Sequence, residues 1–329
     1  MEKLNLNRVA IVIPYFGKLP QLVDLWLEST KRNPKIDFLI FTDIEEVRNH
    51  SYLDNVKIHH ISFNEFKQKF QKNFEFDLSL EKPYKLCDYR PSYGLVLSSY
   101  LKDYDYWGFG DMDLIWGDIY KFIEPLLSKE YDRIFDLGHL SLIKNTPKMN
   151  HLFLQKNNYK DCLSYKYVFT NDFSFFYDET GSLRYGFGQA EVCRRLSNIS
   201  IYSKRICANV SPDKYNFYLL DLNKEIEYFE FKEGHILGKG IEGKTEYPYV
   251  HLSRRLFKID SNLDLDHFYI GPQIISSNLG KIKILNKSRK SKFIFKCQTI
   301  GRHIRQKKKK ISDGAFKYYL NVRKNKINI

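Results

Sequence analysis

The stretch Tyr104-Asp105-Tyr106-Trp107-Gly108-Phe109-Gly110-Asp111-Met112-Asp113-Leu114-Ile115-Trp116-Gly117-Asp118 decides how this chain is read. Its apolar part, Tyr106 to Gly110, predicts a buried strand, and that strand runs straight into two carboxylates one residue apart. In open α/β sheets the carboxyl ends of the strands are where ligands sit. Asp111 and Asp113 would therefore offer acid oxygens at a sheet edge, with Gly110 and Gly117 on either side to allow close backbone approach. Hard oxygen donors in such a place suit Mg²⁺ or Mn²⁺, and those ions favour phosphate-bearing partners. The same spacing recurs at Asp103-Tyr104-Asp105 and Asp264-Leu265-Asp266, but neither follows an apolar strand directly. A solvated acidic turn is the plain alternative for Asp111 and Asp113. Asp118, just ahead of the apolar run from Ile119, reads as a helix N-cap.

Upstream, Arg8 to Pro14 is a β-branched run closed by Pro, and Phe38 to Asp43 is a second buried strand. Leu19 to Arg32 lies between them with helical spacing of Leu22, Leu25, Trp26 and Leu27, and Val56 to Ile61 predicts a third strand. This alternation predicts βαβ units and a parallel sheet. Helices are expected over Phe63 to Phe74, after Pro91 within Tyr84 to Tyr100, over Ile119 to Leu127, and from Pro147 to about Lys156. Short strands at Arg133 to Phe135 and Leu140 to Ile143 flank Gly138-His139. Tyr159 to Tyr249 is less regular and reads as the second half of the same domain; Leu263 to Ile275 adds a last helix or strand.

The 329 residues suffice for one large domain, and 43% hydrophobic residues is ordinary for a globular chain. The 24 Tyr and 25 Phe suit a sugar- or base-binding cleft, although a low-GC coding bias gives the same excess. Five scattered cysteines, odd in number and without C-x-x-C spacing, argue for a reduced, intracellular protein with neither a disulfide framework nor a zinc knuckle. Neither a secretory signal nor a membrane-spanning run is expected. The net charge of +14 is concentrated: residues 281–329 hold 17 Lys or Arg against one acid, Asp313, leaving 36 bases and 38 acids in the other 280. That asymmetry speaks against a nucleic-acid-binding core and for a basic appendage. Phe293, Ile294, Phe295, Ile300 and Ile304 interleave with its charges, so an anionic membrane surface is the expected partner; an inert helical extension and nucleic acid are the alternatives.

Taken in order, Ile11-Val12-Ile13-Pro14-Tyr15-Phe16-Gly17, Phe38-Leu39-Ile40-Phe41-Thr42-Asp43, Lys82-Pro83-Tyr84-Lys85-Leu86-Cys87-Asp88-Tyr89-Arg90-Pro91, Trp107-Gly108 to Gly117-Asp118, and Gly138-His139-Leu140-Ser141 resemble a family of bacterial glycosyltransferase-like proteins. Its members sit among capsule and cell-surface polysaccharide enzymes and look related to the metal-dependent GT-A fold. The resemblance covers about residues 7 to 256. It implies a GT-A-like, Rossmann-like, mostly parallel mixed sheet flanked by helices over residues 1–278. The nucleotide-binding half would span about 1–145 and the acceptor half about 146–278, with a basic amphipathic extension over 279–329.

By the same resemblance, Pro14, Tyr15, Phe16, Thr42 and Asp43 would surround the nucleotide; core packing is the alternative for Tyr15 and Phe16, and a strand-end turn for Asp43. Lys85, Asp88, Arg90 and Met112 would also contact the donor, with Asp88 on hydroxyls and Lys85 or Arg90 on phosphate; a salt-bridged helix start is the alternative for Lys85, Asp88 and Arg90. Tyr249-Val250-His251-Leu252-Ser253-Arg254-Arg255 matches a family pattern in which a late His completes the metal shell and a basic pair follows. Asp111, Asp113 and His251 would then hold Mn²⁺ or Mg²⁺, and Arg254 and Arg255 would meet the diphosphate. His139 and His235 are the alternative ligands.

The acceptor side would include Asn171, Asp172, Tyr177 and Glu191. Asp178-Glu179 resembles a family acidic pair and is the first choice for a general base; surface acids in a Gly-containing loop are the alternative. The implied activity is hexosyl transfer from a nucleotide sugar, with UDP the expected nucleotide, to a surface glycan or a lipid-linked intermediate, by a protein peripheral on the cytoplasmic face of the membrane. A metal-dependent nucleotidyl or phosphoryl transferase is the rival enzyme class. A non-enzymatic membrane or nucleic-acid adaptor is the rival outside enzymes.

Overall fold

A computed structural model describes residues 7–50, 53–156 and 158–312. Val9 to Ile13 is apolar at every position, which suits a strand covered on both faces. It forms β1 (Val9–Pro14), in the interior of a seven-stranded sheet. α1 (Val23–Lys31) buries Leu25, Trp26 and Leu27, and the chain returns as β2 (Ile36–Thr42), parallel to β1 with Ile36 beside Val9. β3 (Val56–His60) adds in parallel to β2. α2 (Phe63–Gln71) starts at a capping box: the Ser62 hydroxyl accepts from the Glu65 amide and the Glu65 carboxylate accepts from the Ser62 amide.

The helix expected after Pro91 is broken into α3 (Leu86–Tyr89), α4 (Tyr93–Val96) and α5 (Ser98–Leu101). Pro91 has no amide to donate. A Cβ at Gly94 would lie 2.3 Å from Asn150 Oδ1 and 2.7 Å from the Trp107 ring, so this segment packs closely against both. β4 (Tyr106–Gly110) then pairs with the free side of β1, Tyr106 beside Val9. The chain has left β1 towards β2 and come back on its other flank, so a crevice opens between the carboxyl ends of β1 and β4.

β5 (Leu114–Trp116) leaves this sheet immediately after Asp113. Asp118 caps α6 (Ile119–Leu127), accepting from the Lys121 amide at 3.1 Å as the sequence predicts. β6 (Arg133–Leu137) and β7 (Leu140–Lys144) extend the central sheet, β7 running antiparallel to both β4 and β6. The helix begun at Pro147 is short, α7 (Pro147–Asn150), with a 3₁₀ turn at Leu152–Leu154 in place of a continuation to Lys156. After α8 (Tyr165–Phe169), a hairpin of β8 (Gly181–Ser182) and β9 (Gly186–Phe187), and α9 (Gln189–Arg195), the edge strand β10 (Ile201–Tyr202) joins β6. The order is β10-β6-β7-β4-β1-β2-β3, a mostly parallel mixed sheet flanked by helices.

The stretch read as irregular and the segment after it, where Leu263 to Ile275 takes the strand form of the expected helix or strand, build a second sheet. Its members are β12 (Phe217–Leu219), β13 (Lys224–Lys232), β14 (His235–Gly240), β15 (Gly243–Tyr247), β17 (Lys258–Ile259), β18 (His267–Ile270) and β19 (Ile274–Ser276). A three-stranded sheet of β11 (Ala208–Asn209), β16 (Tyr249–His251) and β5 links the two. α10 (Leu279–Lys287) and α11 (Arg289–Ser312) close the described chain, so the basic extension is helical; its remainder, Asp313 to Ile329, lies outside the described residues.

The period of two along the central strands divides the core. Ala10, Val12, Leu39, Phe41, Trp107 and Phe109 pack on one face, and Val9, Ile11, Ile13, Phe38, Ile40 and Tyr106 on the other. Truncating one of these aromatics to Ala would cost about 3–5 kcal/mol. That rigidity holds the carboxyl-end crevice in shape.

Candidate metal and nucleotide site

Beyond Gly110 the backbone is fixed from three sides. The Asp111 amide donates to the His139 carbonyl at 3.3 Å, Trp26 Nε1 donates to the Asp111 carbonyl at 3.1 Å, and the Leu252 amide donates to the Asp113 carbonyl at 3.0 Å. β5 pairs antiparallel with β16 so that Leu114 lies opposite His251. One ligand atom from each of Asp111, Asp113 and His251 then falls within 4.8 Å of the others. This convergence needs the central sheet and the three-stranded sheet together.

His251 Nε2 is 3.2 Å from Asp113 Oδ1, and its Nδ1 is 3.0 Å from Asn209 Oδ1. Asn209 Nδ2 in turn donates to Asp221 at 2.7 Å. A carboxylate only accepts, so the Asn209 amide nitrogen must face Asp221 and its oxygen must face His251. Nδ1 therefore carries the hydrogen, and in the neutral ring the lone pair sits on Nε2, towards the acids. Burial pulls the His251 pKa down, but the hydrogen bond and charge of Asp113 outweigh it and the net shift is upward. For Asp113 burial pushes up, and the His251 contact prevails to hold it low. Two carboxylates plus an Nε2 lone pair fit Mn²⁺ or Mg²⁺, which would take the place of the proton between His251 and Asp113.

Arg90 stands behind the acids. Its guanidinium donates to Asp111 at 2.5 Å, to Asp178 Oδ2 at 2.8 Å and to the Gly138 carbonyl at 2.8 Å, over the ring of Phe109. Arg90 is thus a brace that ties the Asp-x-Asp to the acidic pair. Asp178 is buried, and burial raises its pKa to about 6 despite Arg90. Glu179 is only partly buried; burial, then the neighbouring Asp178, raise its pKa to about 7. Arg133, buried in β6, donates to the Asp178 carbonyl at 2.8 Å and steadies this turn.

These groups line a cavity of about 650 Å³, a size that suits a cofactor or nucleotide. Its wall includes Pro14, Tyr15, Phe16, Arg90, Asp111, Met112, Asp113, Asp178, Glu179, His251, Arg254 and Arg255. Ser253 and Arg254 both take left-handed backbone conformations, φ 24° and 58°, which turn the chain sharply after His251. The two arginines diverge. Arg255 has a buried head that donates to the carbonyls of Ser211, Tyr215 and Pro272, between the rings of Phe217 and Phe295. Its guanidinium serves the packing, whereas Arg254 is left as the basic residue of this turn beside the cavity.

Four expected donor-binding residues lie outside the lining. Thr42 is buried and its hydroxyl accepts from the Ile44 amide; Asp43 is exposed. Lys85 and Asp88 form an internal pair at 2.8 Å. Asp88 accepts from the amides of Phe175 and Tyr177, and Lys85 donates to the carbonyls of Val168 and Phe173. Their work is to hold the loop leading into Asp178-Glu179. On the expected acceptor side, Asn171 accepts from the Phe173 amide, Asp172 from Ser79, Tyr177 donates to Gln189, and Glu191 accepts from Arg195. Only Asp178 and Glu179 of that group reach the cavity. His235 pairs with Glu246 away from it. His139 does line it, stacked on His251 at 4.4 Å between ring centres and bonded through Nδ1 to the Tyr249 hydroxyl; burial holds its pKa well below the usual range.

Three further residues shape the site: Asn209 and Asp221, which fix His251, and Trp26, which anchors Asp111. None carries a local motif. Tyr84 and Phe176 add aromatic side chains to the cavity wall, 47% and 42% exposed.

The chain belongs to a family described as "Family of unknown function (DUF6625)", which matches residues 11–278. No curated protein matches it. Among solved structures it is similar to the galactosyltransferase LgtC in complex with donor and acceptor sugar analogs, at 12% identity and a TM-score of 0.28, over 45% of this chain and 60% of that one. It is also similar to core-mannan synthase A (CmsA/Ktr4) from Aspergillus fumigatus in its Mn/GDP form, at 13% identity and a TM-score of 0.23, over 40% of this chain and 42% of that one. The chain thus spans less than two thirds of either protein, and at these TM-scores neither likeness bears on function.

Proposed function

We propose that the protein is a metal-dependent glycosyltransferase that moves a sugar from a nucleotide-sugar donor, with UDP the first nucleotide to test, to a surface glycan or its lipid-linked intermediate. The observation that carries this reading is the convergence of Asp111, Asp113 and His251 in the crevice between β1 and β4. A bound Mn²⁺ or Mg²⁺ would neutralise the charge that grows on a departing nucleotide diphosphate. Asp111, Asp113 and His251 would hold it.

The protein's own groups divide the remaining tasks. Tyr15 and Phe16, at the end of β1, offer apolar surface to a base or ribose. Arg254 supplies positive charge on the same wall. Arg90 keeps Asp111 and Asp178 in place. Glu179, poised near pH 7 and partly accessible, is the group suited to take the proton of an acceptor hydroxyl. Under this reading residues 1–145 bind the nucleotide and 146–278 receive the acceptor.

Thermal shift and calorimetry with UDP, GDP and CDP, each with and without Mn²⁺, test the proposal. The expected result is stabilisation by one nucleoside diphosphate that requires the cation. No response to any of them, with or without Mn²⁺, would overturn it.

A further inference from the structure

Among the described residues no helix is long and apolar enough to cross a membrane. α11 nevertheless displays apolar side chains to solvent. Phe293, Ile300 and Ile304 are 67%, 50% and 51% exposed, and Cys297 is exposed between them. Positions 293, 297, 300 and 304 follow the i, i+4, i+7, i+11 spacing of a single helix face. Exposed cations border that stripe on both sides: Arg289, Lys296 and Lys307 on one, Lys290 and Lys308 on the other.

The helix cannot simply turn this face inward, because its opposite face is already docked. Phe295 is buried edge-on against Tyr215, with the Arg255 guanidinium over its ring. Arg302 donates to the Pro212 carbonyl and to Asp213, each at 2.7 Å. Ser291 is buried, and Gln298 accepts from Gln273. An apolar stripe is therefore held outward by its own packing.

We infer that this face of α11 seats the protein on an anionic lipid surface, with Phe293, Ile300 and Ile304 entering the headgroup boundary and the bordering Lys and Arg meeting lipid phosphate. Charge complementarity selects this occupant. A second copy of the same face would set like charges against each other. A nucleic acid would use the cations and leave the apolar stripe uncovered. The inference stands apart from the sugar-transfer reading, since none of these side chains lines the cavity.

The test is cosedimentation of the full chain with phosphatidylcholine vesicles that contain or lack phosphatidylglycerol. Binding is expected only with the anionic lipid, and salt should weaken it. The variant Phe293→Ser/Ile300→Ser/Ile304→Ser should bind such vesicles at least about tenfold more weakly, with melting and Mn²⁺ binding unchanged. Equal binding to neutral vesicles, or undiminished binding by the variant, would overturn the inference. So would RNA binding in place of vesicle binding, or a dimer that the same variant dissolves.

Discussion

Replacing Asn209 by Leu tests the site without touching any proposed ligand. In the folded chain the Asn209 oxygen is the acceptor for His251 Nδ1, at 3.0 Å, and Asp221 fixes which end of the amide points there. Removing that acceptor leaves a buried N–H without a partner, a loss of about 1–3 kcal/mol. The ring can recover it only by turning or by changing tautomer, and either move takes the lone pair off the face shared with Asp111 and Asp113. Partners that orient a metal-binding histidine are typically worth about 10–100-fold in metal affinity. Asn209→Leu should therefore weaken Mn²⁺ binding by about that factor, read by the electron paramagnetic resonance of free Mn²⁺ during titration of the full chain. A second experiment separates orientation from packing. Asn209→Asp alone would face Asp221 with another carboxylate and lower stability, whereas Asn209→Asp combined with Asp221→Asn restores an acceptor at His251 and a donor behind it. The exchanged pair should regain most of the lost affinity. If Asn209→Leu holds Mn²⁺ as tightly as the parent chain, the reasoning that assigns His251 to the cation fails.

Asp113→Ala should abolish Mn²⁺-dependent stabilisation by a nucleoside diphosphate and lower transfer by about 10²–10³-fold, the scale seen when one electrostatic group is lost from a reacting centre; calorimetry and a sugar-transfer assay read the two effects. If Glu179 is the base, it works only when deprotonated, so activity should fall as pH drops through about 7 and Glu179→Gln should remove that limb of the profile. Two glycines give a contrast. A Cβ at Gly108 would lie 2.3 Å from the Ser141 carbonyl oxygen, a backbone atom within the β4–β7 pairing, so Gly108→Ala should cost about 1–3 kcal/mol in urea unfolding. A Cβ at Gly138 would meet Glu179 Oε1 at the same 2.3 Å, but that atom ends a flexible side chain. Gly138→Ala should leave the urea midpoint nearly unchanged while displacing the carboxylate and slowing transfer.

The central strands were legible because burial on both faces writes a continuous apolar run, as at Val9 to Ile13, and the Asp-x-Asp was legible because such a run ends on it. The second sheet was not. β13 carries Lys224, Glu225, Glu227, Glu230 and Lys232 among its apolar residues, and this charge density masks the strand pattern until its neighbours are known. Lys85 and Asp88 illustrate a different loss. Their types suit phosphate and ribose, but Asp88 meets the amides of Phe175 and Tyr177, partners that only the folded chain brings within reach. The adjacent Arg254 and Arg255 read alike in sequence, yet a left-handed turn sends Arg255 into packing. Asn209 had no signal at all: a lone amide in Ala-Asn-Val becomes an orienting group only through the pairing of β11 with β16.

β5 has a consequence for the order of events as the protein is made. It carries the chain away from Asp113 into a sheet whose other strands are translated much later, and His251 arrives on one of them. A nascent polypeptide emerging from the ribosome would already hold both acids but could not yet clasp an ion. If the site holds a cation, its capture would report that synthesis had passed β16 and that β5 had paired with it.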